Sequence, residues 1–443
     1  MSNLLFGIYP CVSSIGIIFP RVIDQTIMMQ TNEQWVEVDE QGRLVLPPEV
    51  AERYGMQAGA QMLLREGSKG LQLQRPITQL AKVYVEPTSR CNLTCKTCIR
   101  NAWDESQGDM ADGTFDLVLK CLEELPSRPT VFFGGFGEPL LLANIAEMIK
   151  RAKQVAGKVE LITNGILLTE SCARKLIESG LDTLWVSVDG VTPESYADIR
   201  IGAELPKVLE NIRRLAFMRH ETSRRPEIGI AFVAMRKNIG DLPALIKKGP
   251  SMGISRFIVT NVFPYTKEMC DEMLDVFSVD SFDSKSSPWT PHIDLPRIDL
   301  NEASQEAIFR TLRNRHNVRM NGVSMGQEHG RCPFIESGTV AIGWNGDVSP
   351  CLALMHGYDT FLNGQTRKVR RCIFGNIQEQ SLKSIWEAQE YTAFRKRVQE
   401  FDFAPCTMCG GCELAYTNEE DCFGNTFPTC GGCLWAQGVI QCP

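Results

Sequence analysis

Three cysteines, Cys91, Cys95 and Cys98, fall in the run CNLTCKTC directly behind an apolar stretch at 81–85. Three thiolates at that spacing on one short loop can hold a [4Fe-4S] cube and leave one iron open to an outside ligand. A zinc knuckle and a set of buried structural thiols are the competing readings. Zinc sites usually pair two CxxC units or add histidines, whereas this trio has no histidine nearby and the 443-residue chain has five in all. A second supply of thiols lies near the end: Cys332, Cys351, Cys372, Cys406, Cys409, Cys412, Cys422, Cys430, Cys433 and Cys442, ten of the chain's 17 cysteines. Packing does not require so many thiols in so short a stretch, and about two further cubes would use at most eight of them. Pairs such as Cys406 with Cys409 or Cys430 with Cys433 are also ordinary zinc ligands, so zinc stays open for this region. Cys121 and Cys172, within amphipathic helical runs, and Cys270, in a loop, read as packed thiols.

Side chains with such work need a scaffold to aim them. Apolar, β-branched runs at 81–85, 130–133, 159–163, 183–188, 228–234 and 256–260 alternate with amphipathic helical patterns such as 115–124, 145–155, 170–179 and 205–217. That alternation predicts an α/β fold of parallel strands with helical crossovers. Periodicity leaves both a partial barrel and an open doubly wound sheet standing. In either, functional groups gather at the carboxyl ends of strands, and the cysteine trio sits at the end of the first. GGFGEP (Gly134, Gly135, Phe136, Gly137, Glu138, Pro139) ends the second, where glycines let backbone groups approach a ligand. Thr163 and Asn164 close the third, and Ser187 and Asp189 the fourth. Arg200 offers a forked guanidinium that matches a carboxylate, and Asn261 and Pro264, after the last strand, are expected to face a substrate without an assigned step.

The trio resembles the signature of the radical S-adenosylmethionine (SAM) enzymes, apart from Thr97, where many members carry an aromatic residue before the third cysteine. The resemblance implies a partial (β/α)6 barrel, open on one side, in which the open iron binds SAM and an electron from the cluster cleaves it to a substrate-attacking radical. It further implies that Gly134, Gly135, Gly137, Glu138 and Pro139 hold the SAM amino group, and that Ser187, Asp189, Thr163, Asn164 and Arg200 contact the ribose or carboxylate. GDVSPC, with Gly346 and Cys351, resembles the opening of a SPASM domain, a carrier of two auxiliary [4Fe-4S] clusters, although CTMCGGC and the late CGGC depart from its usual spacing. Near the start, VDEQGRLVLPPEVAERYGMQAG resembles the AbrB or SpoVT type of swapped-hairpin domain. The domains expected are thus a tail at 1–29 that is disordered or precedes the true start, the AbrB-like module at 30–76, the barrel at 77–265, a bridge at 266–331 with a helical run at 302–313, and the SPASM-like region at 332–443.

This order, ending in CGGCLWAQGVIQCP, resembles the maturases of tungsten-containing aldehyde oxidoreductases. The implied partners are a tungsten oxidoreductase or its pterin cofactor, and ferredoxin or flavodoxin as electron donor. A peptide- or protein-modifying maturase, a molybdopterin-precursor cyclase and an iron–sulfur redox-sensing DNA regulator are the alternatives. The cyclase reading lacks the paired arginines its family uses at the C-terminus. Against the regulator stands the net charge of −7, which gives no global attraction for nucleic acid or an anionic membrane. In the AbrB-like segment Glu33, Glu37, Asp39, Glu40, Glu49, Glu52 and Glu66 outnumber Arg43, Arg53, Arg65, Lys69 and Arg75, so that module reads as a homodimerisation or docking element. The broken apolar start makes a poor signal peptide or membrane span. Cysteines at metal-ligand spacing point to a reducing, oxygen-poor cytoplasm.

Overall fold

The computed structural model describes residues 36–56, 59–67, 70–103, 105–222, 226–274, 292–295, 304–307, 317–320, 323–324, 331–407, 409 and 412–443. The expected tail at 1–29 and most of the 266–331 bridge, including the greater part of the helical run at 302–313, lie outside the described residues. Two compact units divide at Ala51. In the first, β1 (Glu37–Val38) pairs antiparallel with β2 (Leu44–Val45) around a turn in which Asp39 Oδ1 accepts the N–H groups of Gln41 and Arg43. Such a side-chain-closed turn is what an Asp at this position favours. Helix α1 (Pro48–Arg53) follows.

The second unit, Glu52–Pro443, opens with the hairpin β3 (Leu64–Gly67) and β4 (Gly70–Leu73), then runs into strand–helix repeats. These are β5 (Lys82–Val85), α2 (Asp112–Glu123), β6 (Thr130–Phe133), α3 (Ile145–Val155), β7 (Lys158–Thr163), α4 (Glu170–Glu178), β8 (Thr183–Ser187), the short α5 (Pro193–Ala197), α6 (Leu205–Met218), β9 (Glu227–Ala234), α7 (Leu242–Lys248), β10 (Arg256–Asn261) and α8 (Lys267–Glu272). All six strands β5 to β10 pair in parallel, each with its neighbour in sequence. A doubly wound sheet would reverse its order at a switch point; this one does not, which is the order of a partial (β/α)6 barrel. Val83, Val85, Val131, Phe133, Val159 and Leu161 are fully buried, which is why the strands read as near-continuous apolar runs rather than alternating ones.

Beyond the small sheet of β11 (His292–Leu295), β12 (Asn317–Met320) and β13 (Val323–Ser324), the C-terminal region does not stand apart. After the short α9 (Pro333–Glu336), β14 (Thr339–Ile342) pairs in parallel with β5, from Thr339 opposite Lys82 to Ile342 opposite Val85. Strands β15 (Asp347–Ser349) and β18 (Gly375–Asn376) extend that edge, making a sheet of nine strands. A hairpin of β16 (Tyr358–Leu362) and β17 (Gln365–Val369) lies between them in sequence, and α10 (Leu382–Glu387) and α11 (Gln389–Glu400) complete the set. Among the described residues no helix is long and apolar enough to cross a membrane.

Candidate functional site

The loop that carries the cysteine trio leaves the carboxyl end of β5 and is pinned from several sides. Lys96 and Thr94 donate backbone N–H groups to the carbonyls of Ile199 and Ile201. Arg100 reaches back to the carbonyls of Ser89 and Leu93, and Asn101 Nδ2 donates to the Cys95 carbonyl at 3.0 Å and to the Tyr265 hydroxyl at 2.9 Å. Irregular backbone is thereby fixed by named partners instead of a ladder. All three thiols are free and half-buried. Burial raises the Cys91 and Cys95 thiols, neighbouring sulfurs of the trio add to the rise, and Arg100 beside Cys91 and Arg200 beside Cys95 oppose it. Among the described residues no three His, Cys, Asp or Glu side chains converge tightly enough to hold a metal ion as they stand. What the loop offers is the donor set: three sulfurs within eight residues, beside two arginines that favour thiolates.

Next to the trio, the glycine run and the third strand's end form one hydrogen-bonded unit. Glu138 is buried, and its oxygens accept from Thr163 Oγ1 at 2.7 Å, from the Asn164 N–H at 2.7 Å and from the Leu140 N–H at 3.0 Å. Desolvation raises its pKa, and those donors and Arg200 counter it. Its carboxylate therefore joins two loops and is already occupied. A Cβ on Gly137 would lie 2.0 Å from the Thr88 carbonyl oxygen, and Gly135 has φ +139°, so glycine is required at both for steric reasons. Asn164 Nδ2 points to the trio, 3.9 Å from Cys91 Sγ and 2.8 Å from Asn92 Oδ1.

Just past the fourth strand, Asp189 meets Arg200, which follows α5. Arg200 Nε donates to Asp189 Oδ2 at 2.7 Å, and Asp189 Oδ1 accepts the Val233 N–H at 2.7 Å. Both side chains are buried; desolvation would lower the Arg200 pKa, and Asp189 and Cys95 outweigh it. Ser187 is half-buried with no side-chain hydrogen bond among the described residues, leaving its hydroxyl available to a ligand. The expectation that Asn261 and Pro264 face a substrate is corrected. Asn261 donates through both nitrogens to the Val439 carbonyl, and the Pro264 carbonyl accepts from Phe361 N–H and Thr360 Oγ1. These groups dock the C-terminal region, whose end also meets β5 where Lys82 Nζ and the Tyr84 hydroxyl donate to a Pro443 oxygen.

Sequence reasoning missed a buried histidine between two carboxylates. His356 Nδ1 lies 2.6 Å from Glu105 Oε2 and Nε2 lies 3.0 Å from Glu86 Oε2. Glu86 follows β5 directly, and its Oε1 accepts the Phe136 N–H of the glycine run at 3.0 Å. Trp103 and Phe136 meet the imidazole edge-on at centroid distances of 3.9 and 5.7 Å. Burial alone would lower the His356 pKa, but the hydrogen bonds to Glu105 and Glu86 lift it to about 9. The one sequence signal was Glu86 itself, an acid immediately behind an apolar strand.

In the C-terminal region the thiols separate into groups. Cys332, Cys351, Cys430 and Cys433 line one cavity, together with apolar walls such as Phe334 and Trp435. The first three are buried and Cys433 is half-buried. Burial pushes Cys332 up to about 12 and raises the other three, with neighbouring sulfurs adding to the rise in Cys332, Cys351 and Cys430. Neutral thiols are thus favoured until a metal supplies positive charge. Cys406 feels Cys412 and Cys422 instead, and Asn363 Nδ2 holds the carbonyls of Cys406 and Cys409. Cys412 and Cys422 are exposed. Cys442 Sγ accepts from Trp435 Nε1 at 3.3 Å and feels Cys433, while Cys372, whose thiol burial pushes up to about 12 with Glu390 adding and Arg397 opposing, in turn raises Cys430.

Residues 85–223 match the radical SAM superfamily, and residues 332–413 match the SPASM iron–sulfur cluster-binding domain. Over 369 residues the chain is 31% identical to the tungsten-containing aldehyde ferredoxin oxidoreductase cofactor-modifying protein of Pyrococcus furiosus, covering 82% of this chain and 96% of that one. A probable GTP 3′,8-cyclase of Methanococcus maripaludis is 32% identical over 206 residues, 45% of this chain and 65% of its own. Among solved structures, Streptococcus suis SuiB bound to S-adenosylmethionine aligns over 78% of this chain and 73% of its own, at 15% identity and a TM-score of 0.47. The chain is an enzyme that uses a [4Fe-4S] cluster and SAM, with auxiliary iron–sulfur clusters in its SPASM domain. It belongs to the radical SAM superfamily, in the family of the Pyrococcus furiosus cofactor-modifying protein.

Proposed function

We propose that this enzyme matures a tungsten-containing oxidoreductase by modifying its pterin cofactor. The observation that carries the reading is the near end-to-end relatedness to the Pyrococcus furiosus protein. When bound, the cluster supplies the electron that cleaves SAM to methionine and a 5′-deoxyadenosyl radical, which takes hydrogen from the substrate. The chain's residues would do the rest. Cys91, Cys95 and Cys98 are the donors for that cluster, and Asn164, within reach of Cys91 Sγ, orients the same edge. The backbone of Gly134 to Gly137, kept bare of side chains at Gly134, Gly135 and Gly137, would receive the SAM amino group, with Ser187 turned to its ribose or carboxylate. Glu138 and the Arg200–Asp189 pair support this reading as positioning residues. Their polar atoms are satisfied inside the protein, so they fix the loops that touch the ligand. His356 would act likewise, tying the glycine run and the β5 end to the C-terminal region through Glu86 and Glu105.

Anaerobic reconstitution with iron and sulfide, followed by dithionite and SAM, tests this reading. Deoxyadenosine should form, and its yield should rise when a tungstopterin enzyme lacking maturation is supplied. Deoxyadenosine that rises instead with a ribosomal peptide would replace the pterin assignment with peptide modification.

A further inference from the structure

Three arginines of the described residues are almost fully buried, and each answers the cost of a buried charge differently. Arg200 has the Asp189 carboxylate. Arg395 lies 3.7 Å from the Trp386 ring centroid and 4.4 Å from that of Tyr391, and it donates to the carbonyls of Ile77 and Trp386. Arg367, on β17, is 3% exposed and has neither arrangement. Among the described residues its hydrogen bond is from Nη1 to the Ala415 carbonyl at 2.5 Å, and its guanidinium lines the cavity of Cys332, Cys351, Cys430 and Cys433. Burial works against its charge, and what opposes burial is the set Cys406, Cys433, Tyr358 and Cys430. The Ala415 carbonyl that Nη1 reaches belongs to a turn whose Ala415 N–H donates to the Cys412 carbonyl, so the guanidinium that lines the four-cysteine cavity also touches the loop of the second cysteine group.

A guanidinium stays protonated in proteins, and an uncompensated buried charge is strongly destabilising. Neutral thiols would compensate it poorly. Thiolates in two metal clusters, each with excess negative charge, would compensate it well. A second contact is independent of charge. A Cβ on Gly432, between Cys430 and Cys433, would sit 2.7 Å from Arg367 Cζ, so the glycine lets the guanidinium lie against the ligand loop itself.

We infer that Arg367 is a shared counter-charge between the two auxiliary iron–sulfur centres, positioned to favour an added electron on either one. The inference rests on the iron–sulfur reading of both cysteine groups, and it extends that reading to a residue that binds no metal. A positive charge nearby stabilises the more negative, reduced cluster, so removing it makes both centres harder to reduce.

The test uses the full chain carrying Cys91→Ala, Cys95→Ala and Cys98→Ala, so that the auxiliary centres alone remain, with iron counted and both one-electron steps followed by spectroscopic redox titration. Arg367→Gln keeps a donor for Ala415 and removes the charge. At a fixed potential its reduced-to-oxidised ratio should fall about tenfold at the nearer centre, equal to ~59 mV for one electron, and by less at the other. Arg367→Lys should stay near the parent. Loss of iron from both centres in Arg367→Gln with retention in Arg367→Lys supports the inference as well. Unchanged potentials in Arg367→Gln, a shift confined to one centre, or equal iron loss in both variants would overturn it. Zinc in place of iron at either group would overturn it too, while deoxyadenosine formation by the unaltered chain would leave the radical SAM assignment standing.

Discussion

The trio loop and the four-cysteine cavity use the same element in opposite settings. Cys91, Cys95 and Cys98 sit half-buried on irregular backbone at a strand end, braced by Asn101, Asn164 and two arginines. Cys332, Cys351 and Cys430 are buried, and with Cys433 they line a cavity whose walls are mostly apolar and which Arg367 enters. Three donors with a polar, reachable side suit a centre that must accept an outside ligand. Four donors around one cavity would leave no coordination place free on a centre they shared, which suits electron storage in the proposed reading. The difference teaches that accessibility, not cysteine spacing alone, separates a centre for ligand exchange from one for electron transfer.

The strongest way to break this comparison is to remove the trio. Alanine at Cys91, Cys95 or Cys98 should take deoxyadenosine formation below detection while the C-terminal iron content stays intact. Persistent SAM cleavage in any one of them would dissolve the distinction. On the other side, if Cys351 is a ligand, Cys351→Ser should cost the iron of one auxiliary centre and lower stability by roughly 2 kcal/mol or more, because a hydroxyl replaces a thiol at a buried position. Iron analysis and thermal melting would read both losses.

His356 tests whether the two regions are tied together. Its pKa is raised from 6.5 to about 9, so its pairing contributes fully below about pH 6.5 and is lost as pH rises through 9. The contribution is on the order of 3 kcal/mol at most, from the shift between folded and unfolded states. Denaturant midpoints at pH 6 and pH 10 should converge on those of His356→Gln only at the higher pH. Equal differences at both would sink the assignment. A smaller effect belongs to Gly137→Ala, where collision with the Thr88 carbonyl should cost about 1–3 kcal/mol and weaken SAM binding, measurable by calorimetry. Smallest is Asp198→Asn. Hydrogen bonds to Lys96 and Lys237 hold the Asp198 pKa to about 2, but the pair is exposed, so neither melting temperature nor SAM turnover should move at pH 7.

The barrel was legible because each of its six strands is an apolar run bounded by turn residues, and a buried parallel strand has little choice but to read that way. The cysteine trio and GGFGEP were legible for the same local reason: their chemistry depends on close spacing. Pairings across long stretches were not. Nothing in the neighbourhood of Asp189 says that Arg200 will take its oxygen, and His356 meets Glu105 and Glu86 across 251 and 270 residues of chain. Asn261 and Pro264 misled because a strand end in such folds faces either a ligand or another part of the chain, and here the C-terminal residues fill that place.

The parallel pairing of β14 with β5 has a consequence for how the chain is made. The first strand of the barrel waits for a partner that is synthesised only after more than half of the chain has followed it. Until Ile342 has left the ribosome, the edge of β5 is bare, and a bare apolar edge invites pairing with other chains. Contacts of such long sequence separation also form slowly. Yield in a recombinant host should therefore depend on holding the nascent barrel soluble, and a chain cut before Thr339 should aggregate rather than fold as a smaller enzyme.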